Sequence, residues 1–123
     1  AVVGVPFGGA KGGIVVEPRK LYPTEKRQLC YGYVGELLDK DPEAIGPLSD
    51  IPAPDVYTNA KVMGWIMDEY SKCMGKKHFA VVTGKPLDMG GSEGRDKATA
   101  KGGVFVLKHV IEQRYADGLD SLK

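Results

Sequence analysis

The stretch Pro6-Phe7-Gly8-Gly9-Ala10-Lys11-Gly12-Gly13-Ile14 sets one lysine among four glycines. Val2, Val3 and Val5 precede it, and Ile14, Val15 and Val16 follow. Short β-branched runs of this kind predict buried strands. The stretch then reads as a glycine-rich turn between two rigid elements, with Lys11 on the turn. Glycine admits positive φ and the close approach of a ligand or another backbone. Two readings are open here: a tight turn carrying a solvated lysine, or a lysine held for chemistry.

Working outward, Glu17-Pro18-Arg19-Lys20 is a polar turn, and Pro23 and Thr24 open a helix. Leu29, Tyr33 and Leu37 recur four apart, with Cys30, Val34 and Leu38 beside them. This predicts an amphipathic helix over about 24–39. Gly32 and Gly35 weaken it unless they allow close packing. Between Asp41 and Pro54 the chain is rich in proline, and Ser49-Asp50-Ile51 reads as a short strand. Pro52 and Pro54 exclude helix around Ala53 and stiffen the backbone at Asp55. Thr58 or Asn59 caps the next helix, whose face carries Val62, Ile66 and Tyr70, with Met63, Met67 and Trp65 alongside. Gly75 stops it. Phe79 to Val82 predicts another strand, and a last helix runs from near Arg95 to Ala116, with Val104, Leu107, Val110 and Ile111 on its apolar face and Gly118 as its stop. Strands alternating with helices predict an α/β arrangement.

A chain of 123 residues fits one ordinary domain. Lysine and arginine total 17 against 16 acidic residues, a net charge of +1, and no basic stripe points to nucleic acid. No apolar run reaches membrane-spanning length. Cys30 and Cys73 form no metal motif and fit two reduced thiols. His78 and His109 are isolated, so no metal site is expected.

Neither lysine on a glycine turn meets a phosphate-loop spacing: Lys11 is followed by glycine and Lys85 by proline. Gly-x-Gly-x-x-Gly is absent. Carbonyl chemistry is the remaining class. A desolvated lysine gives up its proton more readily and can polarise a carbonyl, exchange protons with water or form a Schiff base. Asp55 is the carboxylate best placed by chain stiffness to complete an acid/base pair; its other reading is a residue that complements a helix dipole. Arg95, at the start of the last helix, is either a bidentate clamp for a substrate carboxylate or a solvated surface residue.

Taken together, three segments resemble the glutamate dehydrogenase family in order and spacing: PFGGAKGGI at 6–14, SDIPAPDVYTNA at 49–60 with Trp65 and Asp68-Glu69-Tyr70 downstream, and VVTGKPLDMGGSEGRDKAT at 81–99. The resemblance implies reversible NAD- or NADP-dependent deamination of L-glutamate to 2-oxoglutarate and ammonia. It implies that Lys11 polarises the carbonyl and assists water attack, and that Asp55 handles the proton traffic at the amino group. Gly9 and Ala53 would line the substrate, Arg95 would meet substrate and cofactor, and Thr99 the nicotinamide end. Departures from the family pattern fall at Ala100, Glu93, Gly103 and Tyr22, none of them a named site residue.

The same resemblance predicts an α/β substrate-binding domain, truncated at both ends. Residues 1–88 would be part of that domain, which also serves dimerisation and oligomerisation. Residues 89–123 would form a glycine-rich hinge and the first helix leading to a dinucleotide-binding domain further on. A homo-hexamer is implied for the full-length form, without nucleic-acid or membrane partners. The implied location is cytoplasmic, with the mitochondrial matrix as the other compartment open. Two alternatives stand beside glutamate. One is a Leu/Phe/Val-type dehydrogenase, whose members usually lack Pro-Ala-Pro before the aspartate. The other is an inactive fragment or assembly module.

Overall fold

The computed structural model describes residues 4–6 and 8–114. Among the described residues three α-helices carry the regular structure: α1 (Pro23–Lys40), α2 (Ala60–Cys73) and α3 (Arg95–Arg114). Three short 3₁₀ turns, Pro18–Lys20, Phe79–Val81 and Leu87–Met89, punctuate the connections.

The first two helices start where local chemistry supplies partners for their orphan amides. At α1, Pro23 occupies the first turn, where its missing N–H costs nothing. The Tyr22 N–H donates to Glu25 Oε2 at 2.7 Å, the reciprocal arm of a capping box. At α2, Asn59 Oδ1 accepts from the Val62 N–H at 3.2 Å. Gly75, at φ +70°, follows the end of α2 as the sequence predicts.

The core forms where α1 and α2 pack together. α1 contributes Val34 and Leu38, the loop after it Ile45, and α2 contributes Met63, Ile66, Met67 and Tyr70. Val81 and Val82 complete the cluster. The deepest stripe of α1 is therefore Val34–Leu38, with Cys30 one turn earlier half-buried, and Leu37 packs beside it. Met63 is only 2% exposed, and burying such a side chain contributes roughly 1.5–3 kcal/mol. Gly32 and Gly35 face open space, so close packing does not explain them.

The α/β expectation is overturned: among the described residues there is no strand. Val5 and the Ile14–Val16 run are exposed, and Ser49–Ile51 is irregular; Val2 and Val3 lie outside the described residues. Phe79–Val81 coils into a 3₁₀ turn, and only Val82 is extended after it. A strand needs a partner for its amides and carbonyls, and apolar composition alone supplies none. Among the described residues the nearest approach to pairing of these runs is one bond, from the Thr83 N–H to the Pro52 carbonyl at 3.0 Å. It cannot grow into a ladder, because Pro52 and Pro54 both lack the N–H that the next rungs would use.

α3 differs from the other two helices. None of its residues is buried, and Val104, Phe105, Val106, Leu107 and Val110 are all exposed. The expected apolar face thus finds no cover within the described residues, and the expected end at Ala116 and Gly118 lies outside them. No described helix is long and apolar enough to cross a membrane.

Candidate active site

Lys11 and Asp55 are 44 residues apart and meet directly: Lys11 Nζ donates to Asp55 Oδ2 in an ion pair. The glycines around Lys11 leave its backbone thin. At Gly12 a side chain would press on the Tyr33 hydroxyl of α1, 3.1 Å from where a Cβ would stand. The close approach that glycine permits here is thus to α1.

Asp55 occupies a turn of its own, ahead of α2, so it is not the dipole-complementing residue of a helix start. The Thr58 N–H donates to the Asp55 carbonyl at 3.0 Å. Thr58 Oγ1 accepts from the Asp55 N–H and donates to the Asp55 carbonyl at 2.8 Å. The Val56 N–H donates to Asp55 Oδ1 at 2.9 Å, which leaves Oδ2 for Lys11. The carboxylate is oriented at both oxygens. The Lys11 hydrogen bond, then the Val56 N–H, hold its carboxyl below the usual carboxylate range.

Arg95 and the segment before Asp55 share a neighbour in Gly84. Gly84, at φ +64°, lies against Pro54: a Cβ there would come within 2.5 Å of Pro54 Cγ and 2.7 Å of Cδ. The Arg95 Cγ would lie 3.8 Å from the same point. Gly84 is thus required twice, by its left-handed conformation and by the proline against it. Gly84 thus has on it both Pro54, the residue preceding Asp55, and Arg95, the first residue of α3.

The other expected site residues are less engaged. Gly9 is exposed with open space around it, and Ala53 is exposed between its two prolines. Thr99 is exposed one helical turn beyond Arg95. The desolvation that carbonyl chemistry asks of Lys11 is not met either. Its side chain is 85% exposed and that of Asp55 52%. Glycine neighbours have no side chains with which to cover it.

Two further residues of this corner receive no role from the sequence: Arg19, in the polar turn at 17–20, and Tyr57, within the SDIPAPDVYTNA segment. Arg19 Nη2 donates to the Tyr57 hydroxyl at 2.9 Å, and its guanidinium carbon stands 5.7 Å from the Tyr57 ring centroid. Tyr57 holds φ +57°, a left-handed conformation rare for an aromatic residue. It is the third residue of the Asp55–Thr58 turn, and no residue type in Asp55-Val56-Tyr57-Thr58 marks that position in advance as left-handed.

A second polar cluster joins α1 to α2. Tyr31 donates to Asp68 Oδ2 at 2.8 Å, and Lys72 Nζ reaches the same oxygen at 3.0 Å while standing 4.2 Å from the Tyr31 ring centroid. Asp68 is held below the usual carboxylate range, chiefly by Lys72 and then by Tyr31, and Lys72 is pushed up in turn. This network ties the two core helices at their surface. No group of three metal-ligating side chains occurs among the described residues.

A family model described as the Glu/Leu/Phe/Val dehydrogenase dimerisation domain matches residues 1–72. The NADP-specific glutamate dehydrogenase of Synechocystis is 48% identical over 111 residues, which is 90% of this chain and 25% of that protein. A cryptic catabolic NAD-specific glutamate dehydrogenase of Bacillus subtilis is 43% identical over 94% of this chain and 26% of its own length. Among solved structures, the hetero-hexameric glutamate dehydrogenase of Thermus thermophilus in its Leu-bound form aligns at a TM-score of 0.80 and 47% identity. That alignment covers 89% of this chain and 26% of the Thermus one. The chain thus spans about a quarter of the length of the curated relatives it matches. A dimerisation domain is what the match describes, and the described backbone holds no strand. Both replace the expected α/β substrate-binding domain.

Proposed function

The chain belongs to the Glu/Leu/Phe/Val dehydrogenase family through its dimerisation domain, and from that premise we propose that it is one portion of a longer NAD(P)-dependent glutamate dehydrogenase. The observation that carries the reading is the meeting of Lys11 with Asp55, a cation and a carboxylate from distant segments. The relatives support the substrate: the Synechocystis and Bacillus proteins are glutamate dehydrogenases, of NADP and NAD specificity.

In this reading Lys11 presents its ammonium to the substrate carbonyl and stabilises the negative charge that develops on oxygen. Asp55, ionised and oriented by Val56 and Lys11, accepts a proton from the attacking or departing amine and returns it. Arg95, at the start of α3, offers a guanidinium to a substrate carboxylate. Burial of Lys11 against a further part of the enzyme would strengthen each of these interactions, because charges act more strongly away from water.

Nicotinamide dinucleotides supply the hydride acceptor in such chemistry. The described residues fit one end of such a group only. Arg95 and Thr99 lie four apart, on one face of the first turns of α3, and no Gly-x-Gly-x-x-Gly cradle for a pyrophosphate accompanies them. The remaining contacts, and the choice between NAD and NADP, would lie in other parts of the enzyme. Oligomerisation through the dimerisation domain, as a hexamer in the full-length form, belongs to the same proposal.

Steady-state assays of the full-length protein with L-glutamate, L-leucine and L-phenylalanine, each with NAD and NADP, test the reading. Turnover is expected with glutamate. Preference for leucine or phenylalanine would move the protein to another branch of the family, and turnover with none of the three would remove the dehydrogenase reading.

A further inference from the structure

We infer that Arg19 and Tyr57 are positioning residues, a second fastening between the Lys11 and Asp55 segments that sets the carboxylate against the ammonium. For its catalytic consequence the inference rests on the proposed dehydrogenase activity.

The Lys11–Asp55 pair is exposed on both sides. An exposed ion pair between two irregular segments contributes little, because both groups face solvent and water competes for each. The segments are fastened elsewhere as well. Lys11 and Arg19 lie on one run of chain, and Asp55 and Tyr57 on the other. The first pair is joined by Lys11 Nζ to Asp55 Oδ2, and the second by Arg19 Nη2 to the Tyr57 hydroxyl at 2.9 Å. One point of attachment leaves a hinge; two suppress rotation about it.

Both ends of the second fastening are stiff. Arg19 is in the 3₁₀ turn Pro18–Lys20, whose first residue is proline and whose cap, Glu17 Oε1, accepts from the Arg19 N–H at 3.2 Å. Tyr57 is in the turn closed by Thr58 on Asp55. Its left-handed φ of +57° is unfavourable for a non-glycine residue and persists where surrounding contacts over-determine it. A glycine or asparagine would hold that conformation more easily. A tyrosine there brings a ring and hydroxyl that reach Arg19. The backbone conformation alone does not need them, and the fastening does.

The test uses the full-length protein and four variants: Arg19→Met, Arg19→Lys, Tyr57→Phe and Tyr57→Gly. The first readout needs no turnover. A zero-length carbodiimide joins Asp55 to Lys11 as an amide, and peptide mass spectrometry gives its yield. Arg19→Met and Tyr57→Gly are expected to lower that yield about threefold, as the loss of one weak exposed contact would. Tyr57→Gly is the sharper variant, because it relieves the backbone while removing the ring. The second readout is kinetic. A drop in kcat of about tenfold, with KM for 2-oxoglutarate within about twofold, is the signature of misplaced catalytic groups. Arg19→Lys, which keeps a donor for the hydroxyl, should recover part of the loss. Arg19→Met combined with Tyr57→Phe should be no worse than the more affected single variant, since the two act as one unit.

Unchanged crosslinking in Arg19→Met and Tyr57→Gly overturns the inference, whatever the activity. Crosslinking that falls in a protein with no glutamate turnover overturns the dehydrogenase reading and leaves the fastening in place. If Arg19→Met does not fold, Tyr57→Phe, which lacks a single oxygen, carries the same test, and wild-type crosslinking in it overturns the inference.

Discussion

The α1–α2 core and the Lys11–Asp55 corner are held together by different physics. Around α1 and α2 the chain buries a contiguous apolar cluster, from Val34 and Leu38 to Met63, Met67 and Val81. At the corner the charged pair is exposed, and order comes from a few polar bonds, proline stiffness and turns. The first kind of region sets stability and tolerates no voids. The second places charged groups at little cost in desolvation and contributes little to stability. A substitution should therefore register in one region as lost folding and in the other as lost chemistry.

The corner gives the largest expected effect. Lys11→Ala in the full-length enzyme should lower kcat by about 10²–10³-fold, the range for removal of a group that stabilises charge developing on oxygen. Its melting temperature should stay close to that of the parent, because an exposed ion pair is all that is lost. A fall in activity that tracks a fall in stability would break the comparison, making Lys11 a structural residue.

The core gives the complementary result. Met63→Ala removes a side chain that is 2% exposed, in the cluster that α1 and α2 share. It should cost about 2–5 kcal/mol by denaturant titration. The Lys11–Asp55 carbodiimide crosslink should persist at its normal yield in whatever fraction remains folded. Loss of that crosslink in folded protein would show that the two regions are mechanically coupled.

Gly84 is where coupling would be found, since it follows the buried Val81–Val82 pair closely and presses on Pro54 of the corner. Gly84→Ala meets both a left-handed φ and the proline ring. The expected cost is about 1–3 kcal/mol. Because relief can come from moving Pro54, activity should fall further than stability predicts. A variant with normal kcat and normal stability would mean that the Pro54–Gly84 contact does not persist in solution.

How much of this is legible in the residues differs between the regions for a physical reason. The helices α1 and α2 are readable because their apolar spacing, caps and stops are local: Pro23 at one start, Asn59 at the other, Gly75 at a stop. Pairing of Lys11 with Asp55 is readable through the family resemblance and through the stiffness of Pro-Ala-Pro. The strands mislead because a run such as Ile14-Val15-Val16 reports composition, while a strand is a relation between two backbones. That run has no such partner among the described residues, and Pro52 and Pro54 halt the one pairing that begins. Arg19 and Tyr57 go unmarked because a left-handed tyrosine has no compositional signature. The exposure of Lys11 is hidden because four glycines permit approach without providing cover.

The smallest expected effect concerns protons at Asp55. Its carboxyl is held below the usual range by Lys11 first and the Val56 N–H second. A group whose folded pKa is lowered stabilises the fold above its unfolded value of about 3.9. That contribution is lost as pH falls through the lowered folded value. The Asp55 carboxylate therefore favours the folded state at neutral pH and ceases to do so in acid. Both partners are exposed, so the change in overall stability should be slight and reduced by salt. Carboxyl-carbon NMR of Asp55 reads it directly. In Lys11→Met the Asp55 titration midpoint should move upward, but only part of the way, because the Val56 N–H still favours the ionised form. A full return to the ordinary value would show that the turn at Asp55 depends on Lys11, joining what the structure presents as separate supports. No movement at all would mean that the ion pair is not populated in solution, and the chemical region of the molecule would then lack its central contact.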